Sequence, residues 1–144
     1  VLTTFEGNSV ILKNKEDIKT NLLTLDLKSA PDIAQTIAVS CLGLGIECFL
    51  TGLHTLKIKE TDRLVALKAE IEKLGGEVTI TNETLHLEAS SKINENISIA
   101  TYDDHRMAMA FAPLALKVPT EIEDPKVVSK SYPTFWEDFK KITS

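Results

Sequence analysis

A chain of 144 residues, 43% hydrophobic and 26% charged, suits one domain with a sizeable core or a piece of something larger, and that balance excludes a disordered tract. Its net charge of -5 excludes an ordinary nucleic-acid module, which carries a basic excess, so cations grouped locally need a local reason. No apolar run is long enough for a membrane span, and the longest, residues 107–116, reads as a buried core helix.

The opening Val1-Leu2-Thr3-Thr4-Phe5 lacks the charged-then-apolar pattern of a signal peptide, and a first residue of Val is expected of a piece cut from a longer protein. Residues 5–12 read as two short strands around Gly7-Asn8, followed by a polar connection over 13–21. Leu23, Leu25 and Leu27 alternate with polar residues as in a half-buried strand. Pro31 disfavours helix at Ala30, and Asp32 can cap an apolar helix over 33–44 that Gly43 and Gly45 end. A strand is expected over 47–53. Cys41 and Cys48, in apolar surroundings without metal-ligand company, read as reduced core thiols of a cytoplasmic protein.

Leu64, Leu67, Ile71 and Leu74 recur at helical spacing until Gly75-Gly76 stops them. Val78 and Ile80, then Leu85 and Leu87, alternate around Thr81-Asn82-Glu83-Thr84, which signals a hairpin. Over 23–88 the order is strand, helix, strand, helix, strand, strand. It begins again over 97–144: a strand at Ile97 and Ile99, the Met/Ala/Phe/Leu helix, a short strand over 120–123, and an amphipathic last helix through Phe135, Trp136, Phe139 and Ile142. Sliding the chain until Asp32 falls on Asp103 also lays Lys59 on Lys130, so the two stretches read as a repeat whose second copy lacks its closing hairpin.

Two charged clusters stand where a loop enters an apolar-patterned helix: Lys59-Glu60-Thr61-Asp62-Arg63-Leu64 and Asp103-Asp104-His105-Arg106-Met107-Ala108-Met109. Backbone N–H groups at a helix start favour an anion, and lysine and arginine side chains add charge and directed hydrogen bonds. The bland reading of the first cluster is a solvated first turn whose charges compensate one another, worth about 0–1 kcal/mol per exposed pair. The second resists that reading, because an arginine at the rim of a buried helix must be paired or bind something. Glu60, lodged among cations, suggests proton transfer as well as binding. Lys126 and Lys130 in one loop are equivalent on composition, and His54 and His86 carry no assigned function.

Taken together, Pro31-Asp32-Ile33-Ala34, the two charged clusters, and Asp124-Pro125-Lys126 with Lys130 before an aromatic-rich last helix resemble the 5-enolpyruvylshikimate-3-phosphate synthase family, in the family's order and at similar spacings. The resemblance implies an α/β (α+β) fold of repeated β-α-β-α-β-β units around a pseudo-threefold axis. Residues 1–144 would then be part of the C-terminal domain of a two-domain enolpyruvyl transferase, with one unit over 23–88 and an incomplete one over 97–144. It also implies a cleft between the domains, and a missing hairpin supplied by the parent's N-terminus.

The implied reaction moves the enolpyruvyl group of phosphoenolpyruvate to the 5-hydroxyl of shikimate 3-phosphate, in the shikimate pathway to chorismate and the aromatic amino acids. The partners implied are those two substrates and the remainder of the parent chain, with no cofactor, metal, nucleic acid or membrane, in the cytoplasm. Asp32 matches the family's proton acceptor, and Lys59 a shikimate 3-phosphate ligand that shares the acid–base work. Glu60 matches its proton shuttle to the methylene carbon. Arg63, Arg106 and Lys130 match its phosphoenolpyruvate ligands, His105 supports Arg106, and Thr55 stands where the family commonly offers an Asn to the shikimate ring. Two other readings are a related UDP-N-acetylglucosamine enolpyruvyl transferase, from which both charged clusters point away, and a non-catalytic anion-binding domain on the same scaffold, which would not need Asp32, Lys59 and Glu60.

Overall fold

Gly7 and Asn8 turn the first two strands, β1 (Leu2–Glu6) and β2 (Ser9–Lys13), into an antiparallel hairpin in the computed structural model, which describes residues 1–14, 20–59 and 61–143. Residues 15–19, the middle of the expected polar connection, lie outside the described residues. The strand at Leu23 and Leu25 is β3 (Leu22–Asp26); it pairs in parallel with β4 (Glu47–Thr51), and α1 (Ala34–Leu44) connects the two. After β4 come α2 (Arg63–Lys73) and the hairpin of β5 (Val78–Ile80) and β6 (Leu85–Leu87), which completes a four-stranded mixed sheet in the order β3-β4-β6-β5.

The strand–helix–strand order then recurs. Strands β7 (Ile97–Ile99) and β8 (Thr120–Ile122) pair in parallel across α3 (His105–Phe111), and α4 (Phe135–Thr143) closes the chain. The 3-10 turns His54–Ile58 and Pro125–Lys130 lead into α2 and α4 respectively. The architecture is the expected mixed α/β one.

Period-two alternation sets the sheet's two faces. Cys48, Leu50, Leu85 and Leu87 are buried, while Phe49 between the first pair is exposed and His86 between the second is half-buried. The helical repeat Leu64, Leu67, Ile71 and Leu74 is fully buried in the same core, each side chain contributing about 1.5–3 kcal/mol by leaving water. Helices α1 and α3 pack directly against each other. That contact brings the loops at their N-terminal ends together, and the charged residues lie there.

Two expectations need correction. Asp32 does not cap α1: Pro31–Ile33 forms a 3-10 turn whose N-cap is Ala30, α1 follows from Ile33, and neither start has a side-chain cap. Pro31 suits the first position of such a turn, which leaves Asp32 inside it with its carboxylate turned to cations, a stronger attraction than a neutral cap bond. The apolar run 107–116 is not one helix either. Pro113 lacks the N–H needed to continue α3, so Ala112–Leu116 tightens into a 3-10 turn that buries Leu114 and exposes Leu116.

Candidate active site

Four segments meet at Asp32. Lys59 Nζ lies 3.4 Å from its Oδ1, and Arg63 Nη1 donates to the same oxygen at 2.9 Å. Arg106 Nη2 stands 3.4 Å from Oδ2, while Arg106 Nη1 donates to the Asp32 backbone carbonyl at 3.3 Å. The Asp32 carboxylate is about one-third exposed, so it remains open to solvent while three cations grip it. The solvated first turn expected for the first cluster does not hold for Arg63, whose side chain is only 2% exposed.

Asp104 explains how so buried a guanidinium is tolerated. This aspartate is fully buried; its Oδ2 accepts from Arg63 Nε at 2.6 Å and its Oδ1 from Arg63 Nη2 at 3.4 Å. Such a two-pronged pairing fixes the plane of the guanidinium as well as its charge. Asp104 also caps α3 by accepting from the Arg106 N–H at 2.9 Å, and Gln35 Nε2 on α1 donates to it at 3.4 Å. Among the described residues, Lys59, Arg63 and Arg106 converge on the one solvent-facing carboxylate of Asp32, a grouping of cations that suits a small anion there.

The approach to Asp104 is strained. Tyr102 and Asp103 both have positive φ, +54° and +56°, a conformation that costs a non-glycine residue about 1–3 kcal/mol. The turn is held from α2 by Glu70, whose fully buried carboxylate accepts from the Ala100 N–H at 3.1 Å, the Tyr102 hydroxyl at 2.7 Å and Lys73 Nζ at 2.7 Å. Burial, and then the Glu70 hydrogen bond and charge, push the Tyr102 phenol up to about 12. In the Cys41–Cys48 pair of buried free thiols, hydrogen bonding between them and burial push the Cys48 thiol up, consistent with inert core residues.

The other sequence-predicted residues are placed unevenly. His105 and Arg106 line one small cleft with Asp32, Thr36, Ser131 and Tyr132. Lys130, beside Ser131, lines a neighbouring opening with Lys126, Asp103 and Asp124, so the two lysines stay equivalent in position as in composition. Trp136 on α4 fixes that loop by donating from Nε1 to the Pro125 carbonyl at 2.7 Å. Thr55 is not drawn into the cluster: its hydroxyl is buried with no partner among the described residues. Glu60 lies outside the described residues. Sequence reasoning gave no tertiary role to Asp104, Gln35, Glu70 or Tyr102. Gln35 and Glu70 had a signal, since each interrupts the core-facing stripe of its helix, where a polar side chain must find a partner.

Comparison with known proteins identifies the family. The family model for EPSP synthase (3-phosphoshikimate 1-carboxyvinyltransferase) matches residues 3–139. The chain is 43% identical to a 3-phosphoshikimate 1-carboxyvinyltransferase of Bacteroides fragilis over 98% of its own length and 35% of the relative's. It is 39% identical to one of Neisseria meningitidis over 83% of its length and 28% of the relative's. Among solved structures it is similar to EPSP synthase from Acinetobacter baumannii, with a TM-score of 0.68 and 25% identity, over 78% of this chain and 27% of that one. The chain thus spans about a third of the length of the curated relatives it matches.

Proposed function

The chain belongs to the EPSP synthase (3-phosphoshikimate 1-carboxyvinyltransferase) family, and we propose that it forms part of the C-terminal domain of a two-domain enzyme with that activity. The parent transfers the enolpyruvyl group of phosphoenolpyruvate to the 5-hydroxyl of shikimate 3-phosphate and releases phosphate. This chain supplies one wall of the cleft, from a unit over 23–88 and an incomplete unit over 97–144. The observation that carries this reading is the convergence of Lys59, Arg63 and Arg106 on the Asp32 carboxylate, with Asp104 fixing Arg63 from behind.

Joining an alcohol to the vinyl carbon of phosphoenolpyruvate requires addition and then elimination. The hydroxyl loses a proton, the methylene gains one to become a methyl, and phosphate leaves as that methyl gives a proton back. Asp32 takes the hydroxyl proton and Lys59 shares this work, its positive charge favouring the developing alkoxide. Glu60 serves the methylene carbon. Arg63, Arg106 and Lys130 bind phosphoenolpyruvate, whose carboxylate and phosphate suit planar guanidinium forks and a point-like ammonium. Fixed cations around developing negative charge are the usual dominant catalytic contribution. His105 supports Arg106, and Thr55 serves the shikimate ring only if substrate binding uncovers its hydroxyl, which is buried here. None of these roles calls for a metal or cofactor, and among the described residues no helix is long and apolar enough to cross a membrane. We place the parent in the cytoplasm, in keeping with its buried, unpaired thiols.

Phosphate release by the full-length parent, dependent on both substrates, tests the assignment. The isolated chain is expected to show none, because closure around both substrates assembles and desolvates such a site. A parent that binds phosphoenolpyruvate without turnover would favour the anion-binding alternative instead.

A further inference from the structure

We infer that Glu70 is a positioning residue for the anion site: two turns beyond Arg63 on the same face of α2, it holds the turn Ala100–Asp103 in the one shape that lets Asp104 orient Arg63 and launch Arg106. The inference rests on the enolpyruvyl-transfer reading above, and nothing in that reading requires Glu70. A carboxylate with no exposure in the middle of a helix calls for an explanation, and three donors satisfy it here: Ala100 N–H, Tyr102 hydroxyl and Lys73 ammonium. Two of the three lie on the turn before α3.

That turn could not be expected to hold its shape alone. Tyr102 and Asp103 are successive left-handed residues without glycine's freedom, and such a conformation persists only where the surroundings over-determine it. Glu70 supplies the constraint at both ends, on the Ala100 backbone and on the Tyr102 side chain. Released, the turn relaxes toward ordinary φ, and the residue it delivers next is Asp104, whose N–H is bonded to the Thr101 carbonyl at 2.9 Å. Asp104 orients Arg63 through its carboxylate and starts the helix that carries Arg106. A displacement of the turn therefore reaches both arginines assigned to phosphoenolpyruvate. Among the described residues Asp32 and Lys59 make no bond to Glu70 or Tyr102, and the displacement reaches Asp32 only indirectly, through its bonds with Arg63 and Arg106.

The test uses the full-length parent with Glu70→Ala, Glu70→Gln and Tyr102→Phe. Glu70→Ala should raise KM for phosphoenolpyruvate about tenfold, the scale of a sub-ångström misplacement of binding groups, with smaller changes in kcat and in the KM for shikimate 3-phosphate, which it reaches only through the bonds of Arg63 and Arg106 to Asp32. Glu70→Gln retains an acceptor for Ala100 and a hydrogen-bonding group for Tyr102, so it should recover most of the loss. Tyr102→Phe removes a single hydroxyl, and should show a smaller rise of the same kind with faster hydrogen exchange at the Asp104 amide. If Glu70→Ala does not fold, Tyr102→Phe decides by itself. A thermal midpoint that falls while KM for phosphoenolpyruvate stays unchanged in the soluble variants would make Glu70 a structural tie and overturn the inference. An inactive wild-type parent would instead sink the functional reading, so the two failures are distinguishable.

Discussion

Helices α2 and α3 begin in the same way, with an aspartate N-cap followed within two residues by an arginine of the charged cluster, yet the two caps do different work. Asp62 accepts from the Leu64 and Val65 N–H groups, both at 3.2 Å, and no ion pair to it is found among the described residues. Asp104 accepts from the Arg106 N–H and, fully buried, also holds the Arg63 guanidinium delivered by the other helix. The arginines are correspondingly unlike: Arg63 is walled in at 2% exposure, whereas the Arg106 side chain is 37% exposed. One aspartate finishes a helix; the other joins two helices and, together with Asp32, offsets the burial of a cation.

Removing each cap breaks the comparison open most directly. Asp104→Ala in the parent should lower unfolding free energy by about 2.5–4 kcal/mol, because it removes the buried two-pronged partner of Arg63, which Asp32 still meets at Nη1, in addition to uncapping α3. Denaturant midpoints would measure this, and the double variant Arg63→Met/Asp104→Ala should recover part of the loss, since it leaves no guanidinium to be buried without its Asp104 bonds. A loss near 1 kcal/mol for Asp104→Ala would mean that water reaches Arg63, and the two caps would then be equivalent.

The next effect separates the arginines. Arg106→Lys keeps the charge and loses the planar fork, so phosphoenolpyruvate binding should weaken by about 1.5–3 kcal/mol, or roughly 10- to 150-fold, with little change in stability. Arg63→Lys should destabilise as well as weaken binding, because a lysine cannot reproduce the two-pronged contact with Asp104. Binding titrations beside thermal unfolding would show the split. Equal loss of stability in both variants would contradict the difference in burial.

The strained turn gives the approach to α3 a pH dependence through Tyr102. The Tyr102 phenol, raised to about 12 from an ordinary 10.0, binds its proton more tightly in the folded state than in the unfolded one. Its contribution is therefore fully present below pH 10 and lost as pH rises through about 12. Tyr102→Phe should flatten that part of the decline in stability, measured by urea unfolding between those limits. An unchanged alkaline slope would place Tyr102 outside the link between Glu70 and the turn.

Much of this contrast could be foreseen locally and little of it tertiarily. The hairpin at Thr81-Asn82-Glu83-Thr84, the stop at Gly75-Gly76 and the buried stripe through Leu64, Leu67, Ile71 and Leu74 follow from turn chemistry and periodicity, which act over a few residues. The charged clusters were recognisable because their types and spacing match a family. The resemblance assigned Asp32, Lys59, Arg63 and Arg106 to one site, but their direct ion pairs were not foreseeable, since these depend on helix packing across a long stretch of chain. Asp32 shows the limit most plainly. An aspartate before an apolar run reads locally as a cap; the family resemblance alone gave its carboxylate another use, and the three cations that meet it arrive from elsewhere in the chain.

The smallest expected effect is also the control for the largest. Asp62→Ala removes two bonds from N–H groups at the start of α2, and nothing else among the described residues depends on that carboxylate. An uncapped helix start loses about 1 kcal/mol, and Asp62→Ser or Asp62→Asn should restore most of it, since either side chain still offers an oxygen to the same N–H groups. Phosphoenolpyruvate affinity should stay within about twofold, because Arg63, one residue on, is oriented from Asp104 and not from its own cap. A tenfold loss of affinity in Asp62→Ala with stability nearly intact would reverse this order: it would make the start of α2, not the Asp104 bridge, the element that aims Arg63.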